Sequence, residues 1–75
     1  MNYNDYLESK SDVMLGKPVI KGTRITVELI LKMLSEGASA EDILAAYPHL
    51  QAIHINAVLA YATDVIANET LIPAA

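Results

Sequence analysis

Hydrophobic residues recur at helical spacing from residue 26 onward, and their pattern predicts three helices. The first begins after Thr26, a suitable N-cap. It places four apolar residues on one face, at the i, i+3, i+4 and i+7 positions: Val27, Ile30, Leu31 and Leu34. Leu29 and Met33 widen this arc beyond what one core contact requires, so we expect both at an interface with another molecule. Gly37 follows at the position that a C′ glycine takes.

The second and third predicted helices follow after short breaks. Ser39, with Asp42 three residues later, resembles a capping box, and Pro48 ends the second helix. The third helix covers about 51–68. Its predicted core face holds Ile55, Val58, Leu59, Ala62, Val65 and Ile66, and its opposite face holds Ile53, Asn56, Ala57, Ala60, Asp64 and Ala67. This order of helices and breaks is typical of a helix-turn-helix.

Short β-prone runs interrupted by glycine and proline precede the helices. They predict small strands or a hairpin within residues 13–25. A lone hairpin is marginal in water, so we expect these strands to pair with something more, such as the same segment of a second chain. That pairing would place Val19 and Ile20 at an interface.

The predicted fold is mainly α: a trihelical helix-turn-helix with a short N-terminal β element. The 75 residues form a single domain. Its parts are an N-terminal arm (1–12), the β element (13–25), the helix-turn-helix (26–68) and a tail (69–75).

The composition favours an oligomer. Hydrophobic residues make up 53% of the chain, yet it has no cysteine, phenylalanine or tryptophan to brace so small a core. We therefore expect a homodimer, with a compact monomer as the alternative. No apolar run is long enough to span a bilayer, and the N-terminus lacks the pattern of a secretory signal, so the expected location is cytoplasmic.

Charge is distributed unevenly along the chain. All five basic residues lie within the first 32 positions, whereas residues 33–75 hold five acidic residues and no basic one. The net charge of −4 argues against strong non-specific binding to DNA, since Lys and Arg on phosphates supply most of that affinity. A basic patch is possible only in the N-terminal third.

Candidate chemistry is confined to binding. His49 and His54 have neither cysteines nor nearby carboxylates, so we expect no metal site, no cofactor and no catalysis. In a helix-turn-helix, the first turns of the third helix would offer Gln51, His54 and Asn56 to base edges. Lys21 and Arg24 could supply phosphate contacts, and Thr23 beside them is a further candidate for DNA binding. The alternative is a trihelical bundle that never meets DNA, with these cations on a solvated strand edge.

Several sequence blocks occur together in this chain: Gly16–Ile25, Glu36–Gly37, Glu41–Leu44, Tyr47–Pro48 and Ala57–Ala62. With these blocks, the chain resembles the bacterial domain of unknown function family 433, small proteins assigned as antitoxins. The resemblance covers about residues 4–68. It implies a homeodomain-like or winged-helix-like arrangement, a dimer, and a PIN-like ribonuclease toxin as the partner, with the operon's own promoter DNA as a further ligand.

The same resemblance makes Thr23 and Arg24 part of a hallmark loop, with Arg24 either a fork for a phosphate or a partner for a carboxylate. The chain departs from the family pattern at residues 50–55, where the expected Ser or Thr cap and acidic residues are missing. This departure makes Ile53 a candidate protein contact. The expected function is an antitoxin-type regulator, and the alternative is a protein–protein interaction module that binds no DNA.

Overall fold

The structure, a computed structural model, describes residues 1–68, so the predicted tail at 69–75 lies outside the described residues. Three helices and a two-stranded antiparallel sheet form its framework: β1 (Leu7–Glu8), β2 (Val19–Ile20), α1 (Val27–Ser35), α2 (Ala40–Ala46) and α3 (Ala52–Ala67). This confirms the mainly α, trihelical fold with an N-terminal β element. Within the described part of the chain, no helix has the length and apolar character to cross a membrane.

The ends of α1 follow from two residues that the pattern singled out. Thr26 has extended backbone, and its Oγ1 accepts a hydrogen bond from the Leu29 N–H at 3.0 Å. At the other end, Gly37 has a φ of +99°. The Gly37 N–H donates to the Leu34 carbonyl at 3.1 Å, and the Ala38 N–H donates to the Met33 carbonyl at 3.0 Å. These two bonds form a Schellman motif, which needs a left-handed residue and therefore favours glycine.

A capping box starts α2, as predicted. The Asp42 N–H donates to Ser39 Oγ at 3.0 Å, and the Ser39 N–H donates to Asp42 Oδ2 at 2.9 Å. The hydrogen bond from the Ser39 backbone lowers the pKa of the Asp42 carboxyl below its ordinary value, because it stabilises the charged form. Satisfying two otherwise unpaired N–H groups lets a helix of only seven residues form.

The β element differs from the prediction. Leu7 pairs with Ile20 and Glu8 pairs with Val19, so one strand comes from the predicted arm. Val13–Leu15 is not a strand, because Gly16 and its two predecessors turn the chain back. The two strands pair within one chain, and Val19 and Ile20 are 0% exposed. The prediction that these two residues lie at an interface is therefore wrong: the chain's own core covers them.

The hydrophobic core lies between the sheet and the three helices. Its buried members are Leu7, Val19, Ile20, Ile25, Val27, Ile30, Ile43, Leu50, Ile55, Ala57 and Val58. The predicted core face of α3 is partly wrong. Ala57 is buried, whereas Leu59, Val65 and Ile66 are exposed. With 16 residues, α3 is longer than α1 (9 residues) and α2 (7 residues). Its last turns therefore extend beyond the elements that cover its first turns.

The N-terminal arm packs along α3. The Tyr3 hydroxyl donates to Asp64 Oδ2 at 2.6 Å, and the Tyr3 and Tyr61 rings meet edge to face with centroids 5.4 Å apart. Nearer the helix start, the Tyr6 and His54 rings meet in the same way at 5.9 Å. The hydrogen bond to Asp64 raises the pKa of Tyr3 above its ordinary value. These contacts fix the direction of the arm before β1 begins.

Candidate interaction surfaces

A rigid turn presents the basic residues that the sequence proposed for DNA. We call Lys21–Arg24 the cationic turn. It is closed by the Ile20 N–H, which donates to the Ile25 carbonyl at 2.9 Å. Gly22 has a φ of +75°, and its N–H donates to Glu8 Oε2 at 3.1 Å. The glycine permits the left-handed step, and the carboxylate ties the turn to β1.

Thr23 holds this turn together from within. Its hydroxyl donates to the Ile20 carbonyl at 2.7 Å and accepts from the Ile25 N–H at 3.0 Å. The hydroxyl's only hydrogen is thus committed, and Thr23 can offer a phosphate no donor from its side chain. The structure gives this predicted DNA-binding residue an internal role as the brace of the turn.

Lys21 and Arg24 are exposed, and neither forms a salt bridge with any residue between 1 and 68. The turn lies near the start of α3, because the Lys21 N–H donates to the Tyr6 carbonyl at 2.9 Å and the Tyr6 ring packs on His54. The structure therefore brings the cationic turn towards the first turn of α3, where the other predicted DNA contacts lie. Two free cations on a braced turn can bind phosphates or carboxylates.

The first turn of α3 is capped in a way that the sequence prediction missed. Gln51 and Asn56 are exposed, as a base-reading role requires, but His54 is half-buried. His54 Nδ1 accepts a hydrogen bond from the Gln51 N–H at 2.9 Å, so the ring replaces the acidic residue of an ordinary capping box. This contact and the packing on Tyr6 make His54 a structural residue. Its position three residues after the N-cap was the available signal.

A second candidate surface centres on a strained turn. Met14, Leu15 and Gly16 all have positive φ, at 48°, 58° and 79°. The left-handed region suits Gly16 but costs L-residues with a Cβ roughly 1–2 kcal/mol each. The side chain of Leu15 gains nothing from the fold in return, because it is 94% exposed. Strain of this kind is concentrated at binding sites, where the surroundings hold it in place.

Leu29, predicted as an interface residue, extends this apolar surface. It is exposed and shares a shallow cleft with Met14, and two cations, Lys17 and Lys32, line the same cleft. Lys17 Nζ lies 2.8 Å from Glu28 Oε1, and this contact lowers the pKa of Glu28. We call Met14, Leu15 and Leu29 the Leu15 face. Glu28 lines the cleft as well, so of its two cations Lys32 is the one that forms no salt bridge among residues 1–68. The face combines an apolar centre with a charged edge, the arrangement that suits a protein partner.

The other two predicted interface residues are less accessible. Met33 is half-buried and packs against the core, so it contributes little surface. Ile53 is half-buried on the first turn of α3. His49 is exposed in the turn between α2 and α3, and no three His, Asp or Glu residues in the described part of the chain come close enough to hold a metal ion.

Comparison with models of protein families identifies a family for this chain. The model of a family described as "Protein of unknown function (DUF433)" matches residues 7–62. This span begins at β1 and ends within α3, so it includes both the cationic turn and the Leu15 face but not Tyr3 or Tyr6 of the arm. Neither the curated proteins nor the solved structures contain a match to the chain.

Proposed function

The chain belongs to the DUF433 family, and from this membership we propose that it is an antitoxin-type regulator. It acts as a homodimer, neutralises a PIN-like ribonuclease toxin by direct contact and binds the promoter DNA of its own operon. The toxin class comes from the family resemblance, and the surfaces that would make the contacts come from the structure.

One observation carries the toxin-binding part of this proposal: Leu15 is almost fully exposed on a strained left-handed backbone. A fold held only by its own contacts would gain stability by placing glycine or asparagine there. A leucine at such a tip is instead suited to fill a pocket on a partner, since one buried side chain of this size contributes about 1.5–3 kcal/mol to binding. Lys32, which lines the cleft and forms no salt bridge within residues 1–68, favours a partner with an acidic residue beside that pocket.

Co-expression with the product of the adjacent gene, followed by affinity capture, tests this part. We expect the wild-type chain to capture a nuclease-like protein and Leu15→Asp to lose it. Aspartate tolerates left-handed backbone, so the variant keeps its fold. Ala40→Asp is the matched control, because it adds the same charge at an exposed helix start. An adjacent gene without a nuclease-like product, or equal capture by all three proteins, would overturn the proposal.

Promoter binding is the second part, and the cationic turn supports it. Lys21 and Arg24 are exposed, and the turn is tied to the start of α3 through Tyr6. In this interpretation the two cations bind phosphates and Gln51 or Asn56 contacts base edges. The absence of Lys and Arg from residue 33 onward favours the alternative of a protein–protein interaction module that binds no DNA.

A gel shift on the DNA upstream of the gene separates these two possibilities. Arg24→Ala should weaken binding to all sequences, whereas Gln51→Ala should alter the preference among them. Lys32→Ala, which removes a cation from the Leu15 face, is the control and should leave the shift unchanged. If no shift occurs even at low salt, the protein does not bind this DNA, and the alternative of a protein–protein interaction module is favoured.

A further inference from the structure

The outer face of α3 carries no charge. Asp64 is the helix's only charged residue, and its carboxylate accepts the hydrogen bond from Tyr3. The exposed positions on this face are Ala52, Asn56, Leu59, Thr63, Ile66 and Ala67; Asp64 and Val65 are also exposed but lie outside it. A surface helix normally has a polar, charged outer side, and one that is apolar all round is typical of a helix covered on both sides. Among residues 1–68, the other elements cover only one side of α3.

The spacing of this outer face is that of a helix pair. Ala52, Leu59 and Ile66 are seven residues apart, as are Asn56 and Thr63. A seven-residue repeat of apolar positions keeps one seam facing a second helix along its length, as in coiled coils. The helix has 16 residues, so the seam is about 24 Å long.

The face is also complementary to itself. When two copies of α3 run antiparallel about a two-fold axis between Leu59 and Ala60, the large Leu59 of each copy faces the small Ala60 of the other. Asn56 then faces Thr63. The Thr63 hydroxyl donates to the Leu59 carbonyl at 2.8 Å, so its oxygen remains free to accept from the Asn56 amide. Ala52 faces Ala67 in the same register.

We propose that this face, called the α3 seam, joins two copies of the chain in an antiparallel, symmetric dimer. Charge favours a second copy as the occupant. Each copy carries a net charge of −4, so the repulsion between two copies is weakest where the facing residues carry no charge, as on this face. The inference rests on the homodimer of the proposed function and names its surface. It also places Asn56 in the dimer interface, so Gln51 is the remaining candidate for contacts with base edges.

Sedimentation velocity on the isolated chain tests the α3 seam without toxin or DNA. We expect a wild-type dimer and at least tenfold weaker association for Leu59→Lys. Leu29→Lys is the matched control, because Leu29 is 36% exposed and Leu59 is 44% exposed, yet only Leu59 lies on the seam. Circular dichroism checks that both variants are folded. A monomeric wild type, or a dimer that Leu29→Lys breaks and Leu59→Lys spares, would overturn the proposal.

A charge pair tests the antiparallel register. Ala52→Asp and Ala67→Arg each place one charge in the seam and should weaken association. The double variant Ala52→Asp/Ala67→Arg should restore it, because each Asp of one copy then faces an Arg of the other. A double variant that dissociates as readily as the single ones would contradict this register. Loss of toxin capture with an intact seam would count against the toxin and leave the dimer standing.

Discussion

The strained backbone at Leu15 predicts that replacing this leucine can stabilise the folded protein, although the replacement removes the side chain proposed to contact the toxin. Asparagine adopts left-handed backbone more readily than leucine, so Leu15→Asn relieves part of the roughly 1–2 kcal/mol of strain. Almost no burial is lost, since the leucine side chain is 94% exposed. We expect the free energy of unfolding to rise by about 1 kcal/mol and Tm by about 4–8 °C. Thermal unfolding followed by circular dichroism measures both.

Two further variants separate relief of strain from loss of the side chain. Leu15→Ala keeps the Cβ that causes the strain, so its Tm should stay near that of the wild type. Leu15→Gly removes the strain, but the greater conformational entropy of glycine in the unfolded chain lowers stability by about 0.5–1 kcal/mol. The rise in Tm should therefore be smaller than for Leu15→Asn. As a control for position, Leu29→Asn lies in α1 and should lower Tm, because asparagine is a weaker helix former than leucine. If Leu15→Asn has an unchanged or lower Tm, the strain argument is refuted.

Three other predictions concern the fold. Ser39→Ala breaks the capping box of α2 and should lower the free energy of unfolding by about 1 kcal/mol in urea denaturation. Because the folded state lowers the pKa of Asp42, the contribution of its carboxylate to stability is present at neutral pH and is lost as the pH falls below about 4. Ser39→Ala keeps the backbone N–H that donates to this carboxylate, so acid should destabilise the wild type and the variant alike. In absorbance titrations, Tyr3→Phe should remove a tyrosine that ionises above pH 10, because the hydrogen bond to Asp64 raises the pKa of Tyr3. The contact between Tyr3 and Asp64 is present below pH 10 and weakens as Tyr3 ionises. Ile43→Ala, at a fully buried position, should cost about 2–5 kcal/mol, which a chain of this size hardly tolerates.

Helix boundaries were predictable because local chemistry determines them. Thr26, Ser39 and Gly37 each satisfy backbone groups within a few residues of themselves, and that information is present in a short window of sequence. The strand β1 was not predictable in this way. Leu7–Glu8 lies in a polar stretch without alternation, and it becomes a strand only because Ile20 and Val19 lie beside it in the folded chain.

The face of α3 that meets the core could not be chosen from periodicity. Apolar residues occur all round this helix, so the pattern gives no unique arc, and the predicted arc through Leu59 and Ile66 is rotated away from the one that Ala57 and Val58 define. An alanine is a weak signal for burial, although its small size is what allows a neighbouring element to approach closely. The wrong choice of core face has a physical cause. The helix has two apolar faces, and only one of them packs against the core.

Leu15 shows the other limit of sequence prediction. Short-range preference opposes leucine at positive φ, so a β-prone run was expected at Val13–Leu15 where the structure has a left-handed turn. Gly16 was the only local signal for it. Conflict between local preference and the adopted conformation is most common at functional sites, and this conflict is the reason for proposing the Leu15 face as the contact with the toxin.

The three surfaces fit together when the geometry of the α3 seam is considered. Antiparallel pairing places the two helix starts, and the cationic turns near them, at opposite ends of a seam about 24 Å long, which approaches the ~34 Å spacing of half-sites one duplex turn apart. Each turn offers Lys21 and Arg24, so on the proposed function a DNA-bound dimer would neutralise about four phosphates and a monomer about two. The plot of log K against log salt concentration should then have a slope near −3.6 for the wild type and about −1.8 for Leu59→Lys. An equal slope for the wild type and Leu59→Lys would mean that the two copies of a dimer do not bind DNA together, even if they associate through the α3 seam.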